Sequence, residues 1–116
     1  MTVTIYHNPR CSKSRETLAL LQERGMTPKV VAYLEQPPSP EEIRNLLKLL
    51  GFDDARALMR KGEAEYAELG LDNPALGQDA LIAAMVSHPR LIERPIVVNG
   101  QKAALGRPPE KVLAIL

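Results

Sequence analysis

The chain has 116 residues, with 15 Lys and Arg against 14 Asp and Glu, and a single cysteine. That length favours one domain, residues 1–116, burying roughly two-thirds of its unfolded surface, and 45% hydrophobic with 25% charged residues excludes wholesale disorder. A net charge of +1, three Tyr, one Phe and no Trp argue against a nucleic-acid binder, and one cysteine excludes an intramolecular disulfide.

Cys11 with His7 and the distant His88 falls short of the four paired ligands of structural zinc, so neither metal nor bound cofactor is expected. The start, Met-Thr-Val-Thr-Ile-Tyr, reads as a strand and not as a signal peptide. The longest apolar run, residues 80–86, is far short of the ~20 residues of a membrane span. A soluble cytoplasmic protein without membrane or nucleic-acid partners is the expectation.

Val3 and Ile5 alternate with Thr4 and Tyr6, the period-2 pattern of a strand. The turn-prone stretch His7-Asn8-Pro9-Arg10 ends at Cys11, and either Cys11 or Ser12 caps the helix that follows. That helix carries Leu18, Leu20 and Leu21 and ends at Gly25. Residues 28–34 form a second strand, stopped by Pro37-Pro38.

Ser39, Pro40 and Glu42 are an N-cap, a first-turn proline and the partner of a capping box. Ile43, Leu46, Leu47 and Leu50 then recur at helical spacing until Gly51. Short helices are predicted over 54–60 and up to Leu69-Gly70. Another over 79–87 buries Ile82, Met85 and Val86 and closes at His88-Pro89. Ile96-Val97-Val98, Asn99-Gly100 and residues 101–105 read as a hairpin with a type I′ turn. Pro108-Pro109-Glu110 opens a last helix with Val112, Leu113, Ile115 and Leu116.

The order is β-α-β, a helical block, a β-hairpin and a helix. Two strands joined through a helix should be parallel, and the hairpin adds an antiparallel pair. The expected fold class is α/β and thioredoxin-like: a mixed four-stranded sheet flanked by helices, with a helical insertion between its two halves.

Cys11 falls where strand passes into helix, a place with unpaired backbone N–H groups and a positive dipole. Such a place stabilises a thiolate and equally cradles an anion. A mainly ionised thiol at neutral pH needs about 2.7 kcal/mol over a free one, and a helix terminus supplies ~1. Cations must supply the remainder, and His7, Arg10 and Arg15 are near in sequence. Lone cysteines are more often small buried hydrophobes, but the polar, Pro-containing turn weakens that account here.

Cys11-Ser12-Lys13-Ser14 is a C-x-x-C motif with its second cysteine replaced, so any mixed intermediate must be resolved by an outside thiol. A phosphatase-type C-x₅-R loop fails because Thr17 stands where the arginine is required. Arg60 at a helix end, Arg94 before Pro95 and Arg107 after Gly106 stand where such sheets place ligand groups. Their planar, permanent charge suits a tetrahedral oxyanion. Arg94-Pro95 also raises the question of a cis-proline beside the cysteine.

Ile5-Tyr6-His7-Asn8-Pro9-Arg10-Cys11-Ser12-Lys13-Ser14-Arg15, Tyr33-Leu34-Glu35-Gln36-Pro37-Pro38-Ser39, Leu58-Met59-Arg60-Lys61, His88-Pro89, Arg94-Pro95-Ile96-Val97-Val98 and Gly106-Arg107-Pro108 together resemble the glutaredoxin-coupled arsenate reductase family. The resemblance implies reduction of arsenate to arsenite with glutathione as external reductant and glutaredoxin as partner. It implies Cys11 as nucleophile, His7 as the histidine that helps the thiolate, and Arg60, Arg94 and Arg107 as arsenate-binding residues. Arg10 departs from the small or neutral residue often found there. Two alternatives stay open: a glutathione-dependent thiol oxidoreductase on another substrate, and a redox-linked regulator binding RNA polymerase. The latter branch typically keeps the full C-x-x-C pair that Ser14 removes.

Overall fold

The computed structural model describes residues 2–116. These group into two compact units: residues up to Gln36 together with Arg94–Leu116, and Pro37–Glu93.

The first unit contains β1 (Val3–Tyr6), α1 (Ser12–Glu23), β2 (Lys29–Val31), β3 (Ile96–Asn99), β4 (Lys102–Leu105) and a terminal 3₁₀ helix, Pro109–Ile115. The sheet order is β2-β1-β3-β4. β1 runs parallel to β2 and antiparallel to β3, with Ile5 opposite Val30 on one side and Val97 on the other. β3 and β4 are antiparallel, with Val97 opposite Ala104. This is the expected mixed four-stranded α/β sheet. Val3, Ile5 and Val97 on one sheet face bury against Leu21 of α1 and Val112 of the 3₁₀ helix. Burial of these side chains fixes the register, because a one-residue slip would turn them to the other face.

Three local expectations are corrected. The second strand stops at Val31, three residues early: the N–H groups of Glu35 and Gln36 both turn back to the Ala32 carbonyl. The hairpin loop is Gly100-Gln101 and not Asn99-Gly100, because Asn99 pairs with Lys102. Positive φ occurs at Gly100 and not at Gln101, the pattern of a type II′ turn and not I′. The last helix is 3₁₀ throughout.

The second unit holds α2 (Pro40–Leu50), a 3₁₀ turn Ala55–Leu58, α3 (Ala64–Glu68), α4 (Gln78–Ser87) and a 3₁₀ turn Pro89–Leu91. The helix predicted over 54–60 is the four-residue 3₁₀ turn. α2 starts as its sequence dictates: Ser39 Oγ accepts the Glu42 N–H at 3.1 Å, and Glu42 Oε1 accepts the Ser39 N–H at 3.3 Å. α2 buries Ile43, Leu46 and Leu47, and α4 buries Leu81, Ile82 and Met85. Leu81 therefore takes the core place expected of Val86, which is only half-buried. A bridge between Met59 and Ile92 ties the segment after the first 3₁₀ turn to the segment after the second, with the Arg60 N–H donating to the Leu91 carbonyl at 2.7 Å. Among the described residues no helix is long and apolar enough to cross a membrane.

Candidate active site

The loop between β1 and α1 is a β-turn with Pro9 at its second position. The Cys11 N–H donates to the Asn8 carbonyl at 3.0 Å, and Asn8 Oδ1 accepts the Arg10 N–H at 3.0 Å. Proline presets φ there and an Asx side chain closes the turn, so this local sequence encodes the loop. Arg15 reaches back from α1 and donates from Nη1 to the Pro9 carbonyl at 2.8 Å, pinning the turn to the helix.

The turn delivers Cys11 to the N-cap of α1, half-buried, with extended backbone. No side-chain cap bond of the usual oxygen kind forms there. Burial raises the thiol pKa, but it is outweighed by the backbone N–H of Ser14, the charge of Arg94, the N–H of Lys13 and a hydrogen bond from the Arg94 side chain. The net pKa lies below the ordinary thiol value. Arg107 donates from Nη1 toward Cys11 Sγ at 3.8 Å and to the Arg94 carbonyl at 3.3 Å. Both arginines thus bear on the sulfur, Arg94 through its charge and a side-chain hydrogen bond and Arg107 through Nη1. Arg94 Nε is buried without a hydrogen-bond partner among the described residues.

The backbone that carries these arginines is tightly packed. Arg94-Pro95 and Arg107-Pro108 are both cis, which answers the question raised at Pro95. The Gly106 N–H donates to the Pro95 carbonyl at 3.0 Å. A Cβ at Gly106 would lie 2.8 Å from Pro95 Cγ and 3.1 Å from Thr17 Cγ2, and closer still to Thr17 Oγ1. Glycine stands there for space, which brings the Arg107 segment against both α1 and Pro95.

His7, at the end of β1, is buried and contacts Ser14, not Cys11. Its Nδ1 lies 2.6 Å from Ser14 Oγ, which also accepts the Asn8 N–H at 3.0 Å. Burial lowers the His7 pKa, and the charge of Arg15 lowers it further. Arg10 is exposed.

Arg60 belongs to the second unit, just past the 3₁₀ turn. Its Nη1 pairs with Glu63 Oε1 at 2.6 Å, and Arg90 approaches the same carboxylate at 3.8 Å. The structure therefore places Cys11, Arg94 and Arg107 together, and His7 beside Ser14. Sequence reasoning missed Ser14 as the partner of His7, Arg15 as the clamp on the turn, and Glu63 as the counter-ion of Arg60. Ser14 was visible only as a missing cysteine; the (i, i+3) spacing of Arg60 and Glu63 was the signal for that pair.

Cys11 at the start of α1 thus has two arginines converging on its sulfur. Residues 6–115 match the model of the ArsC family. The chain belongs to the ArsC family. It is 53% identical over 116 residues to the arsenate reductase of Haemophilus influenzae, covering 100% of both chains. It is 59% identical over 114 residues to "Uncharacterized protein YfgD" of Escherichia coli, covering 98% of this chain and 96% of that one. Its fold superimposes on an arsenate reductase from Vibrio cholerae with a TM-score of 0.98 at 58% identity, covering 100% and 98% of the two chains. The resemblance to arsenate reductases and the α/β fold expected from the sequence both stand.

Proposed function

We propose that this ArsC-family chain is an arsenate reductase that uses glutathione and glutaredoxin in the cytoplasm, with residues 1–116 as one functional domain. The observation that carries the reading is Cys11 Sγ at the start of α1, under Arg94 and the Nη1 of Arg107. An arsenate oxyanion placed there gives the buried Arg94 Nε a charged acceptor. The names of the relatives support arsenate as the substrate. The part of Arg60 as a third arsenate ligand rests on the family resemblance.

The Cys11 thiolate attacks arsenic and one arsenate oxygen leaves as water, giving an S–As(V) ester. Glutathione displaces a second oxygen, again as water. A glutaredoxin thiolate then attacks the glutathione sulfur. The electron pair of that S–As bond passes to arsenic, which falls from As(V) to As(III), while glutathione leaves on glutaredoxin as a mixed disulfide. Water cleaves the remaining Cys11–As(III) bond, releasing arsenite and the thiol. The single cysteine is consistent with this sequence, since Ser14 offers no internal thiol to resolve an intermediate.

A coupled assay with arsenate, glutathione and an active glutaredoxin tests the reading. Turnover is expected in the wild type and none in Cys11→Ser. Absence of turnover with a verified glutaredoxin refutes it. Competition by phosphate or sulfate separates oxyanion chemistry from plain disulfide exchange.

A further inference from the structure

We propose that Ser14 is a positioning residue: by donating its hydroxyl proton to Nδ1 it fixes His7 as the neutral imidazole protonated on Nε2. The assignment follows from the donors and acceptors around one buried hydroxyl. Ser14 is fully buried, and its Oγ already accepts the Asn8 N–H at 3.0 Å. A hydroxyl has one proton to give, and His7 Nδ1 stands 2.6 Å away. Were Nδ1 to carry the proton instead, Oγ would accept twice and its own O–H would be left without an acceptor in a site closed to solvent. The doubly protonated ring meets the same obstacle. It also meets Arg15, whose charge acts against a second proton on the ring. Arg10 and Glu35 line the same cavity as His7, so one further cation and one carboxylate face the histidine from the turn and from the segment after β2.

With Nδ1 engaged by Ser14 and Nε2 protonated, His7 keeps no free lone pair. It is then a hydrogen-bond donor and not the base that takes the Cys11 proton. That proton leaves to solvent from the half-buried sulfur, and the thiolate is held by Arg94 and the α1 amides. The residue in place of the second cysteine thus does more than abolish an internal disulfide. It sets the proton inventory of the loop. The catalytic consequence rests on Cys11 being the nucleophile; the tautomer does not.

The experiment is a two-bond ¹H–¹⁵N imidazole spectrum of the full chain near neutral pH, with His88 distinguished by a His7→Asn variant. The expected pattern for His7 is the neutral Nε2–H form, retained in Ser14→Thr and lost to a mixture in Ser14→Ala. An Nδ1–H or fully protonated ring in the wild type overturns the proposal, and so does a Ser14→Ala spectrum matching the wild type. In the coupled assay, Ser14→Ala is expected to lower kcat about tenfold with KM for arsenate little changed, the size of one lost hydrogen bond. A changed KM at constant kcat counts against it. If Ser14→Ala does not fold, the wild-type and Ser14→Thr spectra still decide. A wild type with no arsenate turnover would refute the arsenate reading and leave the spectrum to judge Ser14.

Discussion

Replacing Gly106 by alanine sets two known effects of opposite sign against each other. Gly106 is not among the glycines at positive φ, so its backbone conformation is open to alanine. On conformational entropy alone the change should stabilise by about 0.4–1 kcal/mol. The surroundings argue otherwise. The new Cβ would stand 2.8 Å from the ring carbon Cγ of Pro95 and in hard contact with the Thr17 side chain. Pro95 is rigid, and its carbonyl is bound by the Gly106 N–H itself. Thr17 is fully buried and can yield only by turning its hydroxyl away from the Lys13 carbonyl, to which it donates at 2.7 Å. Overpacking of this kind costs about 1–3 kcal/mol, and surrendering the Thr17 bond adds ~1. The clash therefore wins, by about 1–3 kcal/mol net. For a chain of this length that lowers Tm by roughly 4–12 °C. Thermal unfolding followed by circular dichroism measures it, with Thr17→Ala as the companion variant. Gly106→Ala should cost less in the Thr17→Ala background, because one of its two obstacles is gone. An unchanged or raised Tm in Gly106→Ala would refute the account of this glycine.

Arg94→Ala should move the pH dependence of Cys11 alkylation by iodoacetamide upward, and Arg94→Lys should restore part of the shift; an unmoved curve removes Arg94 from the sulfur. Ser39→Ala removes the Oγ that accepts the Glu42 N–H, while the Ser39 backbone N–H to Glu42 Oε1 survives, and should destabilise by about 0.5–2 kcal/mol in urea titration; a variant as stable as wild type would show the serine cap to be idle. The lowered His7 pKa has a definite sign. As pH falls through 6.5, the unfolded chain takes up a proton that the folded one refuses, so stability present above that value is lost below it. Urea midpoints compared above and below that pH should diverge in the wild type and much less in His7→Gln.

The elements that local chemistry specifies outright were legible. Ser39-Pro40-Glu41-Glu42 names its own helix start, and the strand–turn–helix around Cys11 follows from Asn8, Pro9 and the alternation before them. The family arginines nearest the cysteine were legible as residues, and two of them meet at its sulfur. What was not legible depends on which of several nearby groups pair once the backbone turns. The hairpin loop shifted by one residue because register with β3 chose Gly100 and not Asn99 for the positive φ. The second strand ended early because the chain turns after Ala32, whose carbonyl accepts the N–H groups of Glu35 and Gln36. The role of Ser14 needed the three-dimensional closeness of His7 and Asn8, which only the turn creates.

The sulfur at the head of α1 is also part of what holds that helix end. Its negative charge stands where an Asp or Ser oxygen would otherwise satisfy the first amides. Because the native fold favours the thiolate, the thiolate by reciprocity favours the native fold. That contribution grows as pH rises from the lowered thiol pKa toward the ordinary value and is absent below both. Alkylation, which makes the sulfur neutral, withdraws it. The start of α1 is therefore held less firmly in the alkylated protein than in the free thiolate, and its first amides should exchange faster with solvent there.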